Sequence, residues 1–132
     1  MRNTIYFILS GILLCSACAS QKQQTKKLKW EGNWEWVSSF GGIAGHKRTP
    51  ASTETQLLLR IEKDSIFQYE NGTLTSTWPS KLHYGKLMLQ EEPSWYFLKN
   101  DIKVAVQIQD SMLILNEDCS DCYEHRYVKQ QN

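Results

Sequence analysis

The sequence predicts an all-β fold, an antiparallel up-and-down β-barrel of about eight strands. Short apolar segments alternate with polar residues at the period of two that half-buried strands show. Turn residues such as Asn71-Gly72 separate these segments, and tight turns favour antiparallel neighbours. No segment has the spacing of a convincing amphipathic helix. Because a meander removes its exposed edges most completely by closing, we expect a barrel.

Length and charge limit what the chain can do. Its 132 residues suffice for one domain, which we place at residues 30–132. Lys and Arg total 15 and Asp and Glu total 14, so removal of a leader containing Arg2 leaves 14 of each. This balance argues against nucleic acid as a partner. Five Trp, six Tyr and four Phe supply enough ring surface for a core.

Residues 1–18 have the three parts of an export signal. Arg2 gives the positive start, residues 5–14 form an apolar run, and small residues precede Cys18. A spanning helix needs roughly 20 apolar residues, so this run is too short to remain as an anchor. We expect the segment to be removed.

The end of the leader resembles a bacterial lipobox over residues 14–18, although Cys15 stands where that pattern usually has Leu. The resemblance implies that Cys18 is acylated and becomes the mature N-terminus, which anchors the protein to a membrane of the cell envelope, facing the periplasm or in the outer membrane. The alternative is ordinary secretion with cleavage near Ala19. Residues 19–29 are polar and without hydrophobic periodicity, which predicts a flexible tether.

The first strand and the loop after it lead the domain. Residues 34–40 alternate and place Trp34, Trp36 and Ser38 on one face. Residues 41–54 contain three glycines and a Thr-Pro pair, which predicts a long loop that acts as a lid or a binding loop. The Gly-Gly-Ile-Ala-Gly run in it lacks the Lys-Ser/Thr and the following helix of a phosphate-binding loop.

The remaining strands are predicted at residues 55–63, 65–70, 73–78, 82–90, 95–98, 102–109, 112–116 and 123–129. The second of these places Phe67 and Tyr69 on one face, and Asn71-Gly72 then predicts a type I′ hairpin turn. Pro79 breaks the chain after the third. Turns at residues 63–64, 100–101 and 110–111 join other neighbours. Residues 102–109 alternate most clearly, with four β-branched residues on one face.

Gly32-Asn33-Trp34 matches the G-x-W signature of lipocalins. The wider pattern, W-x-W-V-S, then G-G-I-A-G, T-P and a final aromatic-Arg-aromatic strand, resembles the small bacterial lipocalin-like (calycin) domains over roughly residues 30–129. The resemblance implies a barrel that binds a small apolar or amphiphilic molecule at its open end. It also implies that Trp34 packs under Arg126 at the closed end, a cation–π contact of about 0.5–2 kcal/mol.

Ligand contacts are predicted from aromatic residues and from a basic group on the loop. His46 and Arg48 flank Lys47 and either form a rim for an anionic head group or are simply solvated. The aromatic residues line a cavity or fill it, and they are Trp36, Phe67, Tyr69, Tyr84, Trp95 and Phe97. Filling would favour the competing class, a structural or protein-interaction module without a ligand.

Cys119 and Cys122 form a C-x-x-C sequence before the last strand. Because exported proteins meet an oxidising compartment, we predict a local disulfide. Free thiols, a thiol–disulfide activity and a metal site completed by His125 are the alternatives, although zinc requires a fourth ligand. His46, His83 and His125 are scattered, so we predict that the protein is not an enzyme. We also expect no cofactor, no metal and a monomer.

Overall fold

The computed structural model describes residues 30–131, so the predicted leader, the tether and Cys18 lie outside the described residues. None of the helices in this described part is long and apolar enough to cross a membrane. It contains a four-residue helix, α1 (Pro50–Thr53), and ten strands: β1 (Gly32–Gly41), β2 (His46–Arg48), β3 (Leu57–Ile61), β4 (Ser65–Glu70), β5 (Thr73–Pro79), β6 (His83–Gly85), β7 (Ser94–Lys99), β8 (Ile102–Gln109), β9 (Met112–Glu117) and β10 (Tyr123–Lys129).

The strands form one sheet in the order β5-β4-β3-β1-β10-β9-β8-β7-β6, and β2 pairs with the end of β1. Every pairing within residues 30–131 is antiparallel. Apart from β2, strands that follow one another in sequence lie side by side, except for β5 and β6 at the two edges, and the first strand pairs with the last. The predicted all-β antiparallel fold is confirmed. Backbone pairing between β5 and β6, which a closed barrel would need, is not found among the described strands.

The sheet curls around one hydrophobic core. Its buried members come from eight strands, so a flat sheet could not bring them together: Trp34, Trp36, Leu59, Ile61, Ile66, Trp78, Phe97, Val104, Val106, Leu113, Leu115 and Tyr127. Burying each large apolar side chain contributes roughly 1.5–3 kcal/mol. Burial of these rings and branched chains therefore stabilises the curled form.

The open seam lies between the edge strands β5 and β6, and a side chain of β7 reaches across it to β5 and β4. Lys99 on β7 places its Nζ 4.6 Å from the ring centroid of Trp78 on β5. The same ammonium donates to Oε1 of Gln68 on β4, at 3.3 Å. Phe97 and Trp78 belong to the same core, so the two edges meet through side-chain contacts.

The antiparallel registers define two ends of the sheet. At one, which we call the tryptophan end, Trp34 lies beside Leu59 and Lys129, near the turns at residues 63–64 and 110–111. The other, which we call the loop end, carries residues 42–56 and the turns at 71–72, 100–101 and 118–122. Both residues have positive φ in the turns at 71–72, 100–101 and 110–111, as type I′ hairpins require.

The segment predicted as a structureless loop at residues 41–54 contains two short elements, β2 and α1. β2 pairs with β1 from Ser39 to Gly41. Thr49 caps α1, since its side chain accepts from the Ser52 amide at 3.2 Å, and Pro50 begins the helix. Four residues are too few to show helical periodicity, which is why the sequence pattern missed this helix.

The predicted strand at residues 82–90 is shorter in the structure, where only His83–Gly85 pairs. The chain then crosses the outer face of β8 and β9. Lys103 donates to the Lys86 carbonyl at 2.9 Å, and Asp118 Oδ1 accepts from the Met88 amide at 2.7 Å. Leu87 between these two anchors is buried, so this segment covers part of the outer face.

Gly41 is the glycine whose replacement we expect to be most costly. Its φ is +151°, and an added Cβ would overlap the carbonyl oxygen of Cys122 and lie 2.9 Å from Cα of Tyr123. We predict that Gly41→Ala lowers the free energy of unfolding by about 2–4 kcal/mol, measured by urea denaturation.

Gly85→Ala is the matched control for this measurement. An added Cβ there meets Tyr96 at an ordinary 3.7 Å, so stability should change by less than about 1 kcal/mol. Equal losses in the two variants would contradict the close approach of β1 and β10 at Gly41.

Candidate functional site

A β-bulge in β1 determines which side chains reach the interior at the loop end. Trp36 pairs with Tyr127 and Ser38 pairs with Arg126, so Val37 is an extra residue on β1. The bulge shifts the alternation by one, and Ser39 rather than Ser38 faces inward opposite His125. The prediction that Ser38 shares a face with Trp34 and Trp36 is therefore corrected.

Ser39 and His125 form a buried polar contact at this position. The Trp36 indole N–H donates to Ser39 Oγ at 2.8 Å, and Ser39 Oγ lies 2.6 Å from His125 Nδ1. Because Ser39 Oγ already accepts from Trp36, its own proton is available to a neutral Nδ1. Burial lowers the pKa of His125, as do Lys99 and Arg48, whereas Glu117 raises it. The chain thus favours the neutral imidazole.

Charged side chains lie beside this pair on the inner face. Glu117 pairs with Val104, which belongs to the core, and Lys99 follows the buried Phe97 by two residues. Lys99 Nζ is 4.0 Å from Glu117 Oε1, and their side chains are 27% and 28% exposed. We call Ser39, Gln68, Lys99, Glu117 and His125 the loop-end cluster. Because half-buried charges lose hydration, so loose a pair is weak evidence for stability.

The indole of Trp78 adjoins the cluster. Its Nε1 is buried and has no hydrogen-bond partner within residues 30–131, while Lys99 lies over the ring. A buried donor without an acceptor costs about 1–3 kcal/mol. An ammonium and an unpaired N–H therefore occur together on the inner face at the seam.

The predicted basic residues of the loop lie at the rim of the loop end. Both His46 and Arg48 are exposed on β2. Arg48 Cζ is 5.8 Å from the ring centroid of Tyr123, whose ring is 6.2 Å from that of His125. Arg48 thus connects the rim to the loop-end cluster.

The six predicted aromatic ligand contacts do not converge. Trp36 and Phe97 are core residues. Tyr84 and Trp95 form a tilted pair across β6 and β7 with centroids 5.1 Å apart, and they are 61% and 38% exposed.

Phe67 and Tyr69 lie on the outer face, which corrects the prediction that they line the interior. The guanidinium carbon of Arg60 is 4.6 Å and 5.6 Å from their ring centroids. Ile66 and Gln68 take the inner face, because Ile66 pairs with the core residue Ile61.

Arg126 does not cover Trp34, so that predicted pair is corrected as well. Tyr127 is buried, and the alternation of β10 therefore places Arg126 on the outer face, where Nη2 is 2.8 Å from Glu124 Oε1. Lys129 shares the inner face and puts its Nζ 5.4 Å from the Trp34 ring centroid. A cation does lie over Trp34, but it is Lys129 rather than Arg126.

Cys119 and Cys122 have their sulfur atoms at bonding distance and their Cα atoms 5.4 Å apart, consistent with the predicted disulfide. It lies in the turn between β9 and β10, at the loop end. Within residues 30–131, no three His, Cys, Asp or Glu side chains come together as metal ligands.

The hydroxyl of Ser39 is buried beneath the surface of the loop end. Ser39 is 2% exposed and its hydroxyl is engaged by both Trp36 and His125, so a substrate has no access to it.

No protein-family model, curated protein or solved structure matches the chain.

Sequence reasoning missed Lys99, Glu117, Gln68 and Trp78. The alternation of residues 102–109 correctly predicted which side chains of β8 face inward. Extending the same period across the turn at 100–101 would have placed Lys99 inward as well. The register of β9 against β8 similarly would have indicated Glu117. The Ser39–His125 contact had no such signal, because it depends on the bulge.

The protonation state of His125 should make the stability of the fold depend on pH. Its folded pKa lies below 6.5, so the unfolded chain binds more protons at intermediate pH. The stabilising contribution of the neutral ring is complete above pH 6.5 and is lost as pH falls through the folded pKa. We predict that the unfolding free energy of wild type falls from pH 7 toward pH 5, and that His125→Gln flattens this slope.

The control is His46→Gln, on the exposed β2, which should follow the wild-type slope in the same urea titrations. Slopes are compared rather than absolute values, because His125→Gln also removes packing. A His125→Gln slope as steep as that of wild type would show that the buried imidazole is not responsible.

Proposed function

We propose that the protein is a lipid-anchored component of the bacterial cell envelope whose lipocalin-like barrel binds a small amphiphilic molecule at the loop end. The observation that carries this proposal is that two donors lie side by side on the inner face. They are the half-buried ammonium of Lys99 and the buried indole N–H of Trp78, which has no hydrogen-bond partner among the described residues. Both are donors, and a carboxylate or similar acidic head group accepts from such donors. The apolar core beneath them suits an apolar tail.

The core limits how deeply a ligand enters. Rings of Trp34, Trp36 and Tyr127 are buried in the central cluster. The ligand would therefore lie across the loop end, with its tail against Trp78 and the seam, and its head group near Lys99 and the rim residue Arg48. The small size of the barrel favours a ligand of modest volume.

The strand order supports the lipocalin-like class. An up-and-down barrel has its strands in sequence order and its first strand beside its last, as found here. Trp34 of the G-x-W sequence lies at the end opposite the loops, under a lysine instead of an arginine. The seam between β5 and β6 is the departure, and it would give a ligand a lateral entrance.

The anchor half of the proposal is tested on Cys18. We predict that labelled palmitate is incorporated into wild type and that wild type sediments with membranes. Cys18→Ala should lose both properties, whereas Cys15→Ala should keep them. Membrane association of Cys18→Ala equal to that of wild type would remove the acylated cysteine from the account.

The binding half is tested with cis-parinaric acid, a fluorescent fatty acid, and with native mass spectrometry of protein extracted in mild detergent. We predict saturable binding by wild type. Lys99→Gln should bind about tenfold more weakly or worse, because a charge-assisted hydrogen bond contributes about 1.5–3 kcal/mol.

Lys103→Gln is the matched control for Lys99→Gln. Lys103 is also half-buried and lies over an aromatic ring, that of Tyr96 at 5.3 Å, but on the outer face. The Lys103→Gln variant should bind cis-parinaric acid like wild type. Equal affinity in the two lysine variants, or the absence of any saturable binding or co-purifying small molecule, would contradict the ligand site.

A second candidate function is docking of a protein partner through the loop end. The buried aromatic rings that occupy the centre favour it, as does the exposure of Ile43, which is 91% accessible in the loop between β1 and β2. A photo-crosslinking residue at position 43 that yields one defined adduct in intact cells, lost when Phe40 is replaced by Ser, would favour docking. Adduct formation unchanged by Phe40→Ser would count against it.

A further inference from the structure

The outer face carries a groove that the proposed ligand site does not use. Its volume is about 470 Å³, within the range of small-molecule sites. It lies over β1, β3 and β4, on the opposite side of the sheet from the loop-end cluster. Its walls include Asn33, Glu35, Gln56, Arg60, Tyr69 and Gln130.

The strand registers build this groove in two rows. Asn33 pairs with Arg60, and Arg60 pairs with Phe67. In the adjacent row Glu35 pairs with Leu58, and Leu58 pairs with Tyr69. Gln130 follows β10, and its backbone N–H donates to the backbone carbonyl of Asn33 at 2.9 Å, which holds that wall of the groove in place. The floor is therefore made by regular strands rather than by a loop.

Arg60 is fixed by its neighbours. Its guanidinium lies over the rings of Phe67 and Tyr69, and its Nε is 3.0 Å from Glu62 Oε1, at ion-pair distance although the N–H is not aligned for a hydrogen bond. Its terminal nitrogens have no acceptor within residues 30–131. Because the planar fork is held by the rings, little conformational freedom is lost when it donates.

The other polar side chains of the groove are also available. No described residue forms a hydrogen bond with the side-chain amide of Asn33, Gln56 or Gln130. Amides donate and accept, carboxylates accept and the guanidinium donates, so this set can satisfy hydroxyl groups that each do both. One carboxylate, Glu35, and one cation, Arg60, line the groove, and a second carboxylate, Glu62, lies at ion-pair distance from Arg60. This charge balance disfavours an anion, and Arg60 already occupies the ring faces that a cation would need.

We infer that this groove binds a neutral saccharide. Its hydroxyl groups would bond to Asn33, Glu35, Gln56 and the free nitrogens of Arg60, while Leu58 contacts the apolar face of the sugar ring. The chemistry differs from that of the loop-end cluster, which presents an ammonium and an unpaired N–H, and the two sites lie on opposite faces of the sheet.

The test uses ¹⁵N-labelled full-length protein in a detergent without a sugar head group. Maltose, cellobiose and N,N′-diacetylchitobiose are the neutral probes, each added to about 20 mM, and glucose 6-phosphate is the anionic probe. We expect at least one neutral disaccharide to shift the side-chain amide signals of Asn33, Gln56 and Gln130. Asn33→Ala with Gln56→Ala should weaken the response about tenfold.

One further groove variant and two controls accompany this test. Gln130→Ala, at an exposed position after β10, should weaken binding about threefold without affecting folding. Gln107→Ala, exposed on β8, and Lys99→Gln in the loop-end cluster should bind like wild type. No shift with any neutral probe, tighter binding of glucose 6-phosphate, or full binding by the double variant would each overturn the inference.

Discussion

The antiparallel pairing of β1 with β10 brings the two ends of the domain together and allows the sheet to curl. On either side of β1, the strands form local meanders, β3 to β5 and β6 to β10. β1 is the strand that joins the two meanders by backbone hydrogen bonds. Trp36 pairs with Tyr127, 91 residues later in the chain, so the loop-closure cost of this contact is among the largest in the fold. Because long-range pairs are the slowest to form, we expect the meanders to fold before β1 unites them.

The two ends of the curled sheet differ because of what β1 presents to each. At the tryptophan end, Trp34 is buried beside Leu59 and beneath Lys129, and its indole donates to the Trp30 carbonyl at 2.9 Å. At the loop end, the bulge at Val37 turns Ser39 inward, and polar side chains from four other strands gather there. The extra residue in β1 thus places the hydroxyl of Ser39 opposite His125, whereas the alternation of β7 and β9 turns Lys99 and Glu117 to the same inner face. The proposed ligand site lies at this polar end.

Strand positions could be predicted from the sequence where local rules govern them. The Asn71-Gly72 turn, the β4 boundaries and the alternation of β8 all depend on turn chemistry and a period of two. Three features could not be predicted in this way. Whether Ile66 or Phe67 faces inward depends on the pairing of Ile66 with Ile61. Which cation lies over Trp34 depends on the face of the sheet that Tyr127 takes. The contact of Ser39 with His125 depends on a bulge. Each is set by a neighbouring strand that is distant in sequence.

The most direct measurement is the set of backbone nuclear Overhauser effects between β1 and β10. We expect contacts between Trp36 and Tyr127 and between Ser38 and Arg126, the two pairs on either side of the bulge. We expect no backbone contacts between β5 and β6. Pairing of Ser38 with His125 would remove the bulge and the buried contact of Ser39 with His125, and an absence of contacts between β1 and β10 would contradict the curled sheet itself.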